Sequence, residues 1–345
     1  MSEGSISFEQ DTCSEHQNVS TVSTSLSFGD VLGAVGARMG ISRMDYTVTP
    51  GLYAVGKPDN ESLILVSANY KLTFDTLRHS LKGIDCWLLI LDTKGVNVWC
   101  AAGKGTFGTE ELINRIERSQ LNKYISHNRL ILPQLGATGV SAHEVKRRSG
   151  FDVNYGPIRA DDIKEYINSG LKASKEMRTV EFKLWDRLVL TPMEILPAVK
   201  YALPVYGAMF LSNRFASTPF DGFDLAANTG AILAGTVLTP ALLPYLPGRA
   251  FSLKGWLAGL GVTAGIAGIF RKFDKESGLL TAGSLLLYPA VSSFLAMNFT
   301  GASTYTSPSG VNKEMKKALP FIVGSAAAGA LIVLGAHLFG GRKKT

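Results

Sequence analysis

The residues best suited to chemistry are the eight at 97–104, Asn97, Val98, Trp99, Cys100, Ala101, Ala102, Gly103 and Lys104. They follow, after a short interval, an apolar run at 86–91, CWLLIL, that reads as a buried strand. If Asn97 caps a short helix, Cys100 falls at its third position, in the turn whose backbone N–H groups are free and whose dipole end is positive. A thiolate is favoured there. Lys104 adds positive charge, and Trp99, Ala101 and Ala102 are flat or small enough to lie against a broad planar partner. Gly103 and Gly105 let the backbone leave the helix quickly. The competing reading makes Cys100 a small core side chain beside Trp99.

Two commoner motifs overlap this stretch. Residues 103–108 fit G-x-G-x-x-G, but they do not directly follow their strand, and the run at 130–132 ends at Pro133 without a ribose-binding acid. A P-loop needs glycine where Val98 stands and serine or threonine where Gly105 stands. Phosphate binding is therefore poorly supported. Cys13 lies in a polar tail and Cys86 opens the apolar strand, so solvent-exposed and core thiols suit those two. An odd number of cysteines with no CxxC spacing argues against a disulfide framework and fits a reducing compartment. The five histidines, His16, His79, His127, His143 and His337, are scattered, and no serine–histidine or paired-carboxylate set stands out.

The elements that must position Cys100 alternate. Apolar runs at 52–55, 63–67, 86–91, 130–132 and 151–155 read as strands, and 74–82, 109–119, 142–149 and 161–167 read as helices. Leu112, Ile113 and Ile116 give the second helix one apolar face, and Ser141 with Glu144 has the form of a capping box. This alternation predicts a mostly parallel sheet covered on both faces, with ligands bound where strand ends feed into the loops 67–70, 92–104, 133–140 and 155–157. Residues 1–27 are too polar to offset the entropy of ordering, and all of 1–46 is expected to be poorly structured.

The second half differs in kind. A basic connector at 171–190, with Lys172, Lys175, Arg178, Lys183 and Arg187, precedes five apolar segments at 192–211, 225–246, 253–270, 279–299 and 318–339, each near the ~20 residues a bilayer helix needs. The prediction is an all-α membrane bundle over 191–345. Gly255 with Gly259, and Gly261 with Gly265, would permit close helix packing. Lys200, between Pro197 and Pro204, must face the bundle or water, or snorkel along a tilted helix. The net charge of +7 fits cations flanking membrane spans better than a polyanion site, so nucleic acid is not expected. No signal peptide is recognised, and the dense connector charge favours a cytoplasmic N-terminal half.

The octapeptide at 97–104 closely resembles the signature of the membrane-bound corrinoid proteins of anaerobic mercury methylation. SANYKLTFDTLR at 67–78 and LPQLGATGVSAHEVKRRSGF at 132–151 look like the same family, as does the membrane region, so the resemblance runs from about Thr47 to the end. It implies a Rossmann-like α/β corrinoid-binding domain over 47–170 and a cap helix at 97–104 whose Cys100 thiolate ligates cobalt from below the ring. Asn69, Tyr70, Thr73, Gly136, Ala137 and Gly139 are the expected corrin contacts from neighbouring loops. No histidine stands in the D-x-H-x-x-G arrangement with which many cobalamin proteins ligate cobalt. The implied cycle takes a methyl group from a methyltetrahydrofolate-type donor, through a methyltransferase, and passes it to Hg(II), presented as a thiolate complex. The implied reductant is a ferredoxin with two [4Fe–4S] clusters, since three cysteines here cannot hold clusters. The implied location is the inner membrane, multi-pass. Two alternatives stand beside this: a membrane-anchored corrinoid methyl carrier of the acetyl-CoA pathway, whose usual cap lacks the cysteine, and a membrane transporter or sensor with a nucleotide-binding domain.

Overall fold

The computed structural model describes residues 19–274, 277–304 and 308–339. The chain forms two compact units, Met1–Ala37 with Ser42–Thr179, and Arg38–Ile41 with Val180–Thr345.

In the first unit the elements run β1 (Ser20–Val22), α1 (Phe28–Arg38), β2 (Gly51–Val55), β3 (Ile64–Ala68), α2 (Lys71–Ser80), β4 (Cys86–Leu91), α3 (Val98–Lys104), α4 (Thr109–Arg118), β5 (Arg129–Leu132), α5 (Ala142–Ser149), β6 (Asp152–Tyr155) and α6 (Ile163–Asn168). They form one sheet in the order β1-β2-β4-β3-β5-β6. The strands from β4 to β6 are parallel to one another, whereas β2 runs antiparallel to β4. The expected mostly parallel sheet is thus present, with β1 and β2, on one side, running against the other four, a direction the sequence reading did not foresee. Every residue of β4 is buried, because the strand has helices on both faces. Its alternation sorts them: Trp87, Leu89 and Leu91 join a core with α3, α4 and α5 residues such as Ala101, Leu112 and Val145. Cys86, Leu88 and Ile90 join the opposite core with Phe74 and Leu77 of α2 and Ile163 of α6.

The expectation of a poorly structured stretch through residue 46 is corrected for 19–46, while residues 1–18, with Cys13 and His16, lie outside the described residues. β1 pairs with β2, and α1 is tied down by long-range charge. Asp30 on α1 meets Lys71 Nζ at 2.5 Å and Arg78 at 2.9 Å, and the same two cations meet Asp75 at 2.6 and 2.8 Å. Arg78 also donates to the carbonyls of Ser23 and Ser25. These anchors sit on α2, far along the chain, so local composition does not reveal them. Arg78 is buried, so Arg78→Met leaves Lys71 as the remaining cation between Asp30 and Asp75 and is expected to cost about 1.5–3 kcal/mol. The expected readout is loss of amide protection over 20–38 with the β3–β6 core still protected. The Lys71 bond, and then the Ser27 backbone N–H, hold the Asp30 carboxyl well below the usual carboxylate range. Its contribution is therefore complete above the unfolded value of about 4 and is lost as pH falls below it toward the folded value.

The second unit contains α7 (Leu184–Leu188), α8 (Thr191–Ser212), α9 (Gly222–Leu233), α10 (Thr239–Ala241), α11 (Phe251–Ile269), α12 (Gly278–Phe299) and α13 (Pro308–Phe339). Among the described residues, four stretches are long and apolar enough to cross a membrane: Leu184–Ser212, Phe251–Ile269, Gly278–Ala302 and Ser309–Phe339. The expected segment at 225–246 is not among them. It begins as α9, passes through a π-helical turn at Ala234–Leu238 and stops at Ala241. Its carbonyl end is capped by buried cations: Arg187 donates to the carbonyls of Pro240 and Ala241 at 2.9 Å each, and Lys254 to those of Leu243 and Leu246. Arg187, read above as a flanking charge, is thus a helix cap. A Cβ on Gly255 would stand 2.3 Å from that of Ala296, and one on Gly259 2.5 Å from that of Ser292, so these glycines do let α11 and α12 close up. Gly261 and Gly265 have no such neighbour. Lys200 is exposed on α8 and is not turned into the bundle.

Candidate functional site

Because β3, β4, β5 and β6 are parallel, their C-terminal ends open at one edge of the sheet. Four loops emerge there, and α3 is the only α-helix among them. Its N-cap is Asn97, whose side-chain oxygen accepts from the Cys100 backbone N–H at 2.9 Å, so Cys100 is the third helical residue as its spacing predicts. Gly105 ends the helix in the left-handed region at φ 81°, where a Cβ would be strained.

The helix has two unlike faces. Val98, Ala101 and Ala102 are buried in the sheet's core, while Cys100, Gly103 and Lys104 are exposed and Trp99 is 41% exposed. The expectation that Ala101 and Ala102 meet a planar partner is corrected: they are the side that anchors the helix. The exposed thiol contrasts with Cys86, which burial, and then the Asp85 charge, push up to about 12.

Three supports fix α3. Asn69, at the end of β3, accepts three hydrogen bonds on one oxygen, from Thr93 N at 3.0 Å, Thr93 Oγ1 at 2.9 Å and Gly95 N at 3.1 Å. Glu111 of α4 accepts from the Asp92 backbone N–H at 2.9 Å. Beneath the helix runs the β5–α5 loop, whose glycines are steric necessities. A Cβ on Gly139 would stand 2.1 Å from the Phe107 carbonyl oxygen and 3.0 Å from Ala102 Cα, and one on Gly136 2.6 Å from the Phe107 ring. Tyr155, ending β6, donates to the Val140 carbonyl at 2.7 Å and pins that loop.

The loops expected to meet a ligand thus converge, but several of their residues do different work. Asn69 and Tyr70 are buried, and Gly136 packs internally, so these three are supports and not surface contacts. Thr73, Ala137 and Gly139 are half-buried. Sequence reasoning missed Thr93 and Glu111, although Asp92-Thr93-Lys94-Gly95 carries a turn signature after its strand. The expected capping box at Ser141 does not form: no side-chain cap bond is made, and Glu144 pairs with Arg147 and Arg148. The glycine fingerprint at 103–108 begins within the last turn of α3 and not after a strand, against a dinucleotide site.

Residues 41–167 match the family model described as CO dehydrogenase/acetyl-CoA synthase delta subunit. The chain is also similar to the acetyl-CoA decarbonylase/synthase complex subunit gamma of Methanopyrus kandleri, 33% identical over 122 residues, 35% of this chain and 26% of the relative. It is 29% identical to the gamma subunit of Methanocaldococcus jannaschii over 139 residues, covering 39% and 28%, and 37% identical to subunit gamma 2 of Methanosarcina thermophila over 99 residues, covering 28% and 21%. The chain therefore spans about a quarter of the length of these relatives.

Proposed function

We propose that the first unit is a Rossmann-like corrinoid-binding domain, that the Cys100 thiolate is the lower axial ligand of its cobalt, and that the chain transfers a methyl group to Hg(II), forming methylmercury. The observation that carries this reading is the division of α3, with one face locked in the core and the other presenting Cys100 beside Trp99, Gly103 and Lys104. The residues fit the group. A broad ring with a central metal needs a face of low relief with one donor, and Gly103 has no side chain to hold the ring off the sulfur. When bound, the corrinoid would supply a cobalt–carbon bond, and the Cys100 thiolate, as a strong donor, would favour release of the methyl group to a soft electrophile such as Hg(II). Asn97 and Asn69 hold the sulfur's backbone in place, Trp99 covers apolar surface, and Lys104 offsets negative charge.

The relatives' names, taken alone, favour the second reading, a membrane-anchored methyl carrier of the acetyl-CoA pathway. Cys100 separates the two, because the usual cap of that carrier lacks a cysteine. In the mercury reading the methyl donor is of the methyltetrahydrofolate type, reached through a methyltransferase, and a two-cluster ferredoxin supplies electrons. The four apolar helices support a multi-pass membrane location, and the basic connector before them favours a cytoplasmic first unit in the inner membrane. The test is the absorption spectrum of protein purified without oxygen. Sulfur-ligated cobalt is expected in the intact chain, and water, imidazole or no lower ligand there would remove the mercury reading while leaving the carrier reading in place.

A further inference from the structure

α1 has an apolar face that the fold does not use. Its inner side is fastened by Asp30, by Ala37, 1% exposed, and by Gly33, where a Cβ would stand 2.6 Å from the Tyr46 hydroxyl. On the opposite side Phe28, Val31, Leu32 and Val35 follow one another at i, i+3, i+4 and i+7 and are 83, 49, 60 and 47% exposed. Met44, 63% exposed, follows in the next turn. Three glycines, at 29, 33 and 36, make the helix a poor one by itself, so its persistence depends on the ion pairs that hold its inner side. A stripe of large apolar residues held at the surface in this way calls for a covering partner.

We infer that α1 lies in the interfacial layer of the lipid bilayer that the chain's own helices cross; this rests on the membrane reading above. The covalent chain argues for that occupant over a second protein. The first unit ends at Thr179 and the first apolar helix begins at Leu184, so only residues 180–183 intervene, a reach of roughly 15–20 Å. Trp185, 73% exposed, stands at the start of that helix, where amphipathic aromatics settle at the headgroup level. A short amphipathic helix binds a membrane weakly when free. Tethered next to one, it needs little intrinsic affinity, because the spans supply the first anchor and α1 the second.

The test places p-benzoylphenylalanine at Leu32 in the full chain, reconstituted in nanodiscs of phosphatidylcholine and phosphatidylglycerol, and identifies photo-adducts by mass spectrometry. The same probe at Leu331, 73% exposed on α13, reports the membrane spans. Lipid adducts are expected at both positions. Lipid at 331 with none at 32, or with only protein attached at 32, overturns the inference and leaves the membrane reading intact; no lipid at either position overturns both. In the double variant Phe28→Asp with Val35→Asp, loss of the lipid adduct at 32 is expected, and amide protection of β3 and β4 is the check that the fold persists. Undiminished lipid labelling in that variant also overturns the inference.

Discussion

Cys100→Ala is expected to reduce methylmercury formation to background while leaving the protein folded. The side chain removed is exposed, so no cavity opens, and alanine suits a helix. The cap also survives, because Asn97 accepts from the backbone N–H of residue 100 and not from its sulfur. What disappears is the sulfur proposed to ligate the cobalt. Cys100→His separates ligation from its electronic consequence. Imidazole is a competent donor, so corrinoid is expected to stay bound, yet without the thiolate the transfer to Hg(II) is expected to remain close to background. The measurement is methylmercury yield per bound corrinoid in anaerobic membranes supplied with methyl donor and reductant. Normal yield in the alanine variant would sink the assignment, and normal yield in the histidine variant would show that the thiolate's donor strength is not what matters.

The helix that presents this thiol was legible in the sequence because its signals are local. Asn97, the apolar turn behind it and the glycine after it lie within nine residues, and the strand before it is apolar without interruption. The amphipathic α4 was legible for the same reason, with Leu112, Ile113 and Ile116 on one face. What stayed hidden depends on distant partners. β1 is three residues long and polar, and it exists because β2 offers an edge and Arg78 gathers the carbonyls of Ser23 and Ser25. The inward turn of Ala101 and Ala102 follows from where the sheet lies, which the octapeptide cannot state. Ser141 and Glu144 have the letters of a capping box, but the Ser141 backbone N–H is taken by Thr109 and Glu144 by arginines. In the second unit, the break at Ala234–Leu238 interrupts a run whose composition alone reads as a span.

Asn69→Leu is expected to disable the site from a distance, and its cost can be bounded from the bonds it removes. Leucine leaves the buried N–H groups of Thr93 and Gly95 without their acceptor, at about 1–3 kcal/mol each, while the Thr93 hydroxyl keeps the Val96 carbonyl. The loop can avoid that cost by opening to water, since it lies outside the sheet's hydrogen-bonded ladder. Opening carries α3 with it, because Asp92–Asn97 is what joins α3 to β4. Corrinoid affinity and methyl transfer should therefore fall together, unlike in Cys100→His, where only transfer falls. Amide exchange should speed up over 92–104 while β3 and β4 stay protected, which distinguishes lost positioning from global unfolding. Asn69→Asp, which keeps the accepting oxygen among the same donors and replaces the amide nitrogen with a second, should recover part of the loss. Unchanged exchange over 92–104 in the leucine variant, with full methyl transfer, would mean that the cap helix is held by its buried alanines alone and that Asn69 positions nothing.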